Sequence, residues 1–163
     1  MNTTLHVVRP FAVASVVRGE AKAGTPRQQV LPRSRITTED RDRLRLLIQA
    51  RRSKNEVRDS LWLLDRKLSE ALVFQPEHIP GDVITLYSRV CIINKVLREV
   101  FTFTLVFPGE ASLDEGKLSV LSPIGIALFG AAEGESVVAQ TPGGRVGLSI
   151  RELVYQPESA DRR

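Results

Sequence analysis

The sequence predicts an α+β protein, with an antiparallel pair of helices over residues 36–74 followed by an antiparallel sheet domain carrying one short helix over residues 82–158. Two observations predict it. Apolar residues recur every three or four positions as far as Ala71 and every second position beyond Val83, so the period changes from that of a helix to that of a strand. Between the two regimes stands Gln75-Pro76-Glu77-His78-Ile79-Pro80-Gly81, whose paired prolines stop a helix and favour an extended path. Residues 75–81 therefore read as a linker.

At 163 residues the chain has room for one ordinary domain and an appendage. A hydrophobic content of 42% is that of a globular protein, and no apolar run approaches the length of a bilayer span. A single cysteine, Cys91, rules out an internal disulfide and fits a reducing, cytoplasmic setting. Placed mid-strand, it reads as a small core residue. With only His6 and His78, widely separated, there is no metal site and no Ser/His/Asp or Cys/His catalytic set, so neither metal nor cofactor is expected.

Residues 1–35 lack periodicity and are punctuated by Pro10, Gly19, Gly24, Pro26 and Pro32. They hold six basic residues against Glu20, a net +5, and read as a disordered tail or as sequence upstream of the true start. Residues 36–74 carry +2 and residues 75–163 carry −3. The high pI thus comes from the tail, which argues against a basic nucleic-acid face on the main domain.

The first helix opens at Thr37-Thr38-Glu39-Asp40, where a hydroxyl cap precedes carboxylates that suit the positive end of the helix dipole. Leu44, Leu47 and Ile48 give it one apolar stripe, and Ser53-Lys54-Asn55 breaks it. In the second helix Val57, Leu61, Leu64, Leu68 and Ala71 step by four and three, the seam that two antiparallel helices bury between them. Trp62 and Leu63 widen that face toward the C-terminal domain.

Beyond the linker, Val83 to Ile93 is β-rich, Asn94 to Arg98 turns, and residues 99–107 alternate. The stretch from Leu118 to Gly144 then marks each junction with a fitting residue. Ser122 offers an oxygen to a helix start, Pro123 suits the first helical position, and Gly130 can adopt the left-handed conformation that ends the helix. Pro142-Gly143-Gly144 makes a hairpin turn, and five or six short antiparallel strands result.

Ser122-Pro123-Ile124 with Ala127-Leu128-Phe129-Gly130, Glu133-Gly134, Thr141-Pro142-Gly143-Gly144 and Leu153-Val154-Tyr155 together resemble the C-terminal domain of the bacterial transcript cleavage factors GreA and GreB. The resemblance extends over about Ile36 to Glu158. It implies a sheet domain like that of the FK506-binding proteins, a helical hairpin, and a partner, RNA polymerase, bound at the rim of its secondary channel. It also implies that the region of Ser122, Pro123, Ile124 and Phe129 docks on that rim.

The tip of the hairpin carries Arg51, Arg52, Lys54, Glu56 and Asp59. In the cleavage factors, paired tip carboxylates help hold a catalytic Mg²⁺ in the polymerase. Here Glu56 and Asp59 are explained by the helix N-terminus they occupy, and the cleavage signature is missing. About fifteen residues from Thr38 to Arg52, at 1.5 Å each, make an arm of only about 22 Å. The basic residues suit helix ends, an acidic rim, or indirect contact with nucleic acid inside a transcription complex. The reading is therefore a monomeric, non-enzymatic polymerase-binding regulator of elongation, away from any membrane. Its rivals are an active cleavage factor using Glu56 and Asp59, and a peptidyl-prolyl isomerase. The isomerase rests on fold likeness alone, and such enzymes need an aromatic-lined pocket, whereas Trp62 sits on the hairpin.

Overall fold

The computed structural model describes residues 33–52 and 58–162. A short strand β1 (Arg35–Thr37) leads directly into α1 (Thr38–Arg52), and α2 (Arg58–Glu70) is followed by β2 (Leu72–Phe74). The Thr37 hydroxyl accepts the amide of Asp40 at 3.1 Å, so the cap falls where the sequence places it. The break and cap expected at Ser53 to Asn55 lie outside the described residues.

β1 and β2 pair in parallel, Arg35 opposite Leu72 and Thr37 opposite Phe74. The sequence does not announce this ladder, because three-residue strands are too short to establish a period of two. It places the start of α1 beside the end of α2. Strand β1 also begins at Arg35, a residue that the composition groups with the tail.

The main sheet holds β3 (Arg89–Asn94), β4 (Val100–Val106), β5 (Lys117–Ser119), β6 (Ser136–Thr141) and β7 (Gly144–Tyr155), in the order β5-β4-β3-β7-β6. It is mixed and not wholly antiparallel: β4 and β5 run parallel, Leu105 opposite Leu118. Two single-turn 3-10 segments, Pro108–Glu110 and Leu113–Glu115, carry the chain back for that pairing, where a hairpin would have reversed it. The β-rich run from Val83 yields strand only from Arg89, because Thr85 to Ser88 form a turn in which Tyr87 takes a φ of 63°.

α3 (Pro123–Leu128) packs on β6, and α4 (Pro157–Ala160) closes the chain. One apolar core joins both halves. Leu44 and Ile48 of α1 and Leu61, Leu64 and Leu68 of α2 are buried together with Ile84, Val90, Ile92, Leu105, Leu128, Phe129, Leu148 and Ile150. Burying even five such side chains contributes on the order of 10 kcal/mol, so the helices are seated on the sheet domain at their base. Trp62, expected to face that domain, is 59% exposed and stacks with the Arg66 guanidinium at 5.7 Å. Cys91 lies on the half-buried outer face of the sheet, opposite Thr102, and not in the core.

The linker is fastened too. Ile79 is buried with Val83 and Ala132, and the Gln156 side-chain amide donates to the carbonyls of Pro80 and Val83 at 2.9 and 2.8 Å. Arg162 donates to the carbonyls of Glu77 and Ile79.

Gly130 makes the joint between the halves tight. Its φ is +77°, its carbonyl accepts Arg35 N at 2.9 Å, and its amide donates to the Ile84 carbonyl at 2.8 Å. A Cβ there would lie 2.8 Å from Ser34 Cβ and 3.0 Å from the Arg35 carbonyl oxygen. Gly130→Ala is expected to destabilise by about 2 kcal/mol, through backbone strain and displacement of β1. Thermal melting checks it; an unchanged midpoint would mean that β1 yields freely.

Candidate functional site

The α3 end is built by two serines. Ser122 Oγ accepts the amide of Gly125 at 3.0 Å and donates to the Ser119 carbonyl at 2.7 Å. Ser119 Oγ accepts the Leu121 amide at 3.1 Å, and Ser122 N donates to the Ser119 carbonyl at 3.0 Å. The result is a rigid corner on which Ser122, Pro123 and Ile124 are half-buried and reach the surface. Phe129 does not join them. Its side chain is fully buried in the core, so it supports the corner from below and cannot be a contact residue.

The corner depends on Gly125, which the sequence pattern does not single out. An ideal Cβ at Gly125 would lie 2.0 Å from the Ser119 carbonyl oxygen. Nothing but the bare spacing between Ser122 and Ala127 hints at this, since the contact is made by backbone.

At its other end α3 receives Lys67 of α2. The Lys67 ammonium donates to the carbonyls of Ile126 and Ala127 at 2.5 and 3.1 Å, a cation placed on free carbonyls at a helix C-terminus. Its side chain is half-buried, and burial pushes its pKa down to about 7, against the opposing pull of Glu135. Glu135 is itself held by Arg35 at 2.5 Å. Nothing in the helix spacing singles out Lys67, so this tether is not legible in the sequence.

A third polar link crosses the joint. Asp40, only 4% exposed, accepts the Leu86 amide on Oδ2 at 2.9 Å. Burial raises its pKa to about 6 despite that bond, with Glu158 adding to the rise. Asp40 and Glu158 face a cleft of about 520 Å³, shared with Glu39, Glu77, Arg43 and Arg162. Among the described residues no cluster of three or more His, Cys, Asp or Glu side chains could hold a metal ion.

Arg51 and Arg52 close α1, and Asp59 lies in the first turn of α2. Arg52 pairs with Asp65 at 2.7 Å. Lys54 and Glu56 lie outside the described residues. Among the described residues no helix is long and apolar enough to cross a membrane.

Residues 79–155, the linker end and the whole sheet domain, match the family model described as transcription elongation factor, GreA/GreB, C-terminal. The chain is 41% identical over 98 residues to the regulator of nucleoside diphosphate kinase of Escherichia coli K12, covering 60% of this chain and 72% of that protein. It is 36% identical over 105 residues to the transcription elongation factor GreA of Pseudomonas aeruginosa, covering 64% and 66%. Among solved structures, a prokaryotic transcription elongation factor GreA/GreB from Nitrosomonas europaea is 33% identical, with a TM-score of 0.62 over 75% of this chain and 99% of that one.

Proposed function

The chain belongs to the GreA/GreB transcription elongation factor family, and on that premise we propose that it is an RNA polymerase-binding regulator that occupies the secondary channel without cleaving transcripts. The corner formed by Ser122, Pro123 and Ile124 docks on the channel rim. α1 and α2 form a short helical hairpin that projects from an FK506-binding-protein-like sheet domain, with Arg51, Arg52, Lys54, Glu56 and Asp59 at its tip. The protein acts as a cytoplasmic monomer.

One observation carries the non-cleaving half of this reading. Arg52, at the end of α1, pairs with Asp65 in the middle of α2, and Asp59 follows Arg58 at the start of α2, so the carboxylates near this end stand beside guanidinium groups. A Mg²⁺ site needs several oxygen ligands whose negative charge is not already offset. Competition needs no chemistry, because one rim accommodates one occupant and the effect follows polymerase affinity by mass action.

The test is RNA 3′-end cleavage in backtracked complexes with purified polymerase. The protein alone is expected to leave cleavage at its basal rate, and to suppress cleavage stimulated by a GreA-type factor. Strong cleavage by the protein alone, lost in Asp59→Ala, would replace the regulator with a cleavage factor. Ile124→Glu is expected to weaken polymerase binding at least tenfold, since a charge buried unpartnered at an interface core is costly. Circular dichroism serves as the folding control, because Ile124 is half-buried. A normal fold with undiminished binding removes the corner from the docking surface.

A further inference from the structure

The end of the sheet farthest from Ser122 carries a second surface of a different kind. The turn between β3 and β4 displays Val96 at 72% exposure and Leu97 at 58%, with Val100 at 51% just beyond. Turns are ordinarily filled by small polar residues and glycine, so an apolar pair at a tip is unusual. The turn is also tightly fixed. Asn94, itself 4% exposed, accepts the amides of Val96 and Leu97 on its Oδ1 at 2.9 and 3.1 Å, and its backbone bonds Arg98 N and Glu99 O at 2.9 Å. Arg98 is held at a φ of 58°, a left-handed conformation that is strained for a non-glycine residue.

The sheet continues this patch. Val100 pairs with Ile93 and Ile93 with Ser149 on the outer face, and the next row brings Val138, 48% exposed, beside Gly147. Lys95 donates its amide to the Gly147 carbonyl at 3.0 Å and lays its stem over that glycine. Lys95, Arg98 and Arg145 ring the apolar residues, and among the described residues none of the three is held in an ion pair. Glu99 is the acid in the turn.

We infer that the β3–β4 turn and the adjoining sheet face form a second contact surface, fitted to an acidic protein segment that buries an apolar side chain among Val96, Leu97, Val100 and Val138. Four exposed aliphatic residues ringed by cations match a partner with an apolar centre and an acidic rim. A phosphate backbone would leave the aliphatic residues without a counterpart. The preset turn means that little conformational freedom is lost on contact. The inference rests on the polymerase-binding reading, with the acidic segment on polymerase. Strand β4 separates this surface from the corner at Ser122 by seven residues, about 20 Å, so both can be engaged at once.

The test uses the full chain and purified RNA polymerase. Leu97→Glu and Arg98→Glu are each expected to raise Kd about tenfold with an unchanged circular dichroism spectrum, since both side chains sit in the turn. A photoreactive residue at Val96 is expected to cross-link to a polymerase peptide rich in Asp and Glu. Unchanged affinity in both variants while Ile124→Glu binds weakly would overturn this surface and leave the regulator reading standing. Cross-linking to nucleic acid in an assembled elongation complex would overturn it in favour of phosphate contact. Failure of the unsubstituted chain to bind polymerase would sink the regulator reading, and this inference with it.

Discussion

Gly125→Ala is expected to abolish the soluble, folded protein. The added Cβ would lie 2.0 Å from the Ser119 carbonyl oxygen, 3.0 Å from its carbon and 2.9 Å from Ser122 Oγ. None of the three atoms is free to retreat. The Ser119 oxygen already accepts the Ser122 amide and hydroxyl, and the Ser122 oxygen caps the helix. Relief would require moving β5 away from β4 or unwinding α3, whose Leu128 is fully buried in the common core. Overpacking against backbone of this kind exceeds the usual 1–3 kcal/mol of an added methyl, and about 4 kcal/mol or more is a large part of a domain's stability. Gly134→Ala is the matched control. Its φ is +83°, but nothing stands within 4 Å, so only about 1 kcal/mol is expected. Soluble yield and melting temperature of both variants decide the matter. A Gly125→Ala protein melting within a few degrees of the parent would refute the corner's rigidity.

Asp40→Asn is expected to stabilise the protein at pH 8 by about 2–3 kcal/mol and to do much less at pH 4. Asp40 titrates near 6 in the fold against 3.8 ordinarily, so the folded state holds the proton more tightly than the unfolded chain. Its contribution is therefore fully present below about pH 4 and is lost as pH rises through 6, at about 1.4 kcal/mol for each pH unit between the two values. Asparagine keeps the shape and an oxygen for the Leu86 amide, and it has no charge to desolvate. Lys67 titrates in both proteins, so its own influence cancels in the difference. Paired unfolding curves at the two pH values provide the check. A gain independent of pH would assign the effect to packing.

The parts legible in the sequence are those governed by neighbours along the chain. The Thr37 and Ser122 caps, Pro123 at the first helical position, the left-handed Gly130 and the reversal after Thr141 are local backbone requirements, and each is met where expected. Leu61, Leu64 and Leu68 are buried as their spacing predicts. The features that escape such reading are set by distant chain. Asp40 looks like any acid in a first helical turn until Leu86 closes over it, and nothing in the helix spacing singles out Lys67 until α3 arrives beneath it. Phe129 looks like a surface residue because it borders the corner, yet a large aromatic side chain gains more by filling the core. The two parallel pairings, β1 with β2 and β4 with β5, depend on connections whose path no periodicity records.

The small parallel ladder at residues 35–37 and 72–74 closes the helical excursion at its root. Closure entropy grows slowly with the length enclosed, about 0.6 kcal/mol for each doubling, so residues beyond the rooted leucines are a nearly free variable. Adding one heptad to each arm would extend the projection by about 10 Å while leaving every bond at the base in place. The architecture thus separates the base of the two helices from their length, which evolution, or an engineer, can reset by insertion alone.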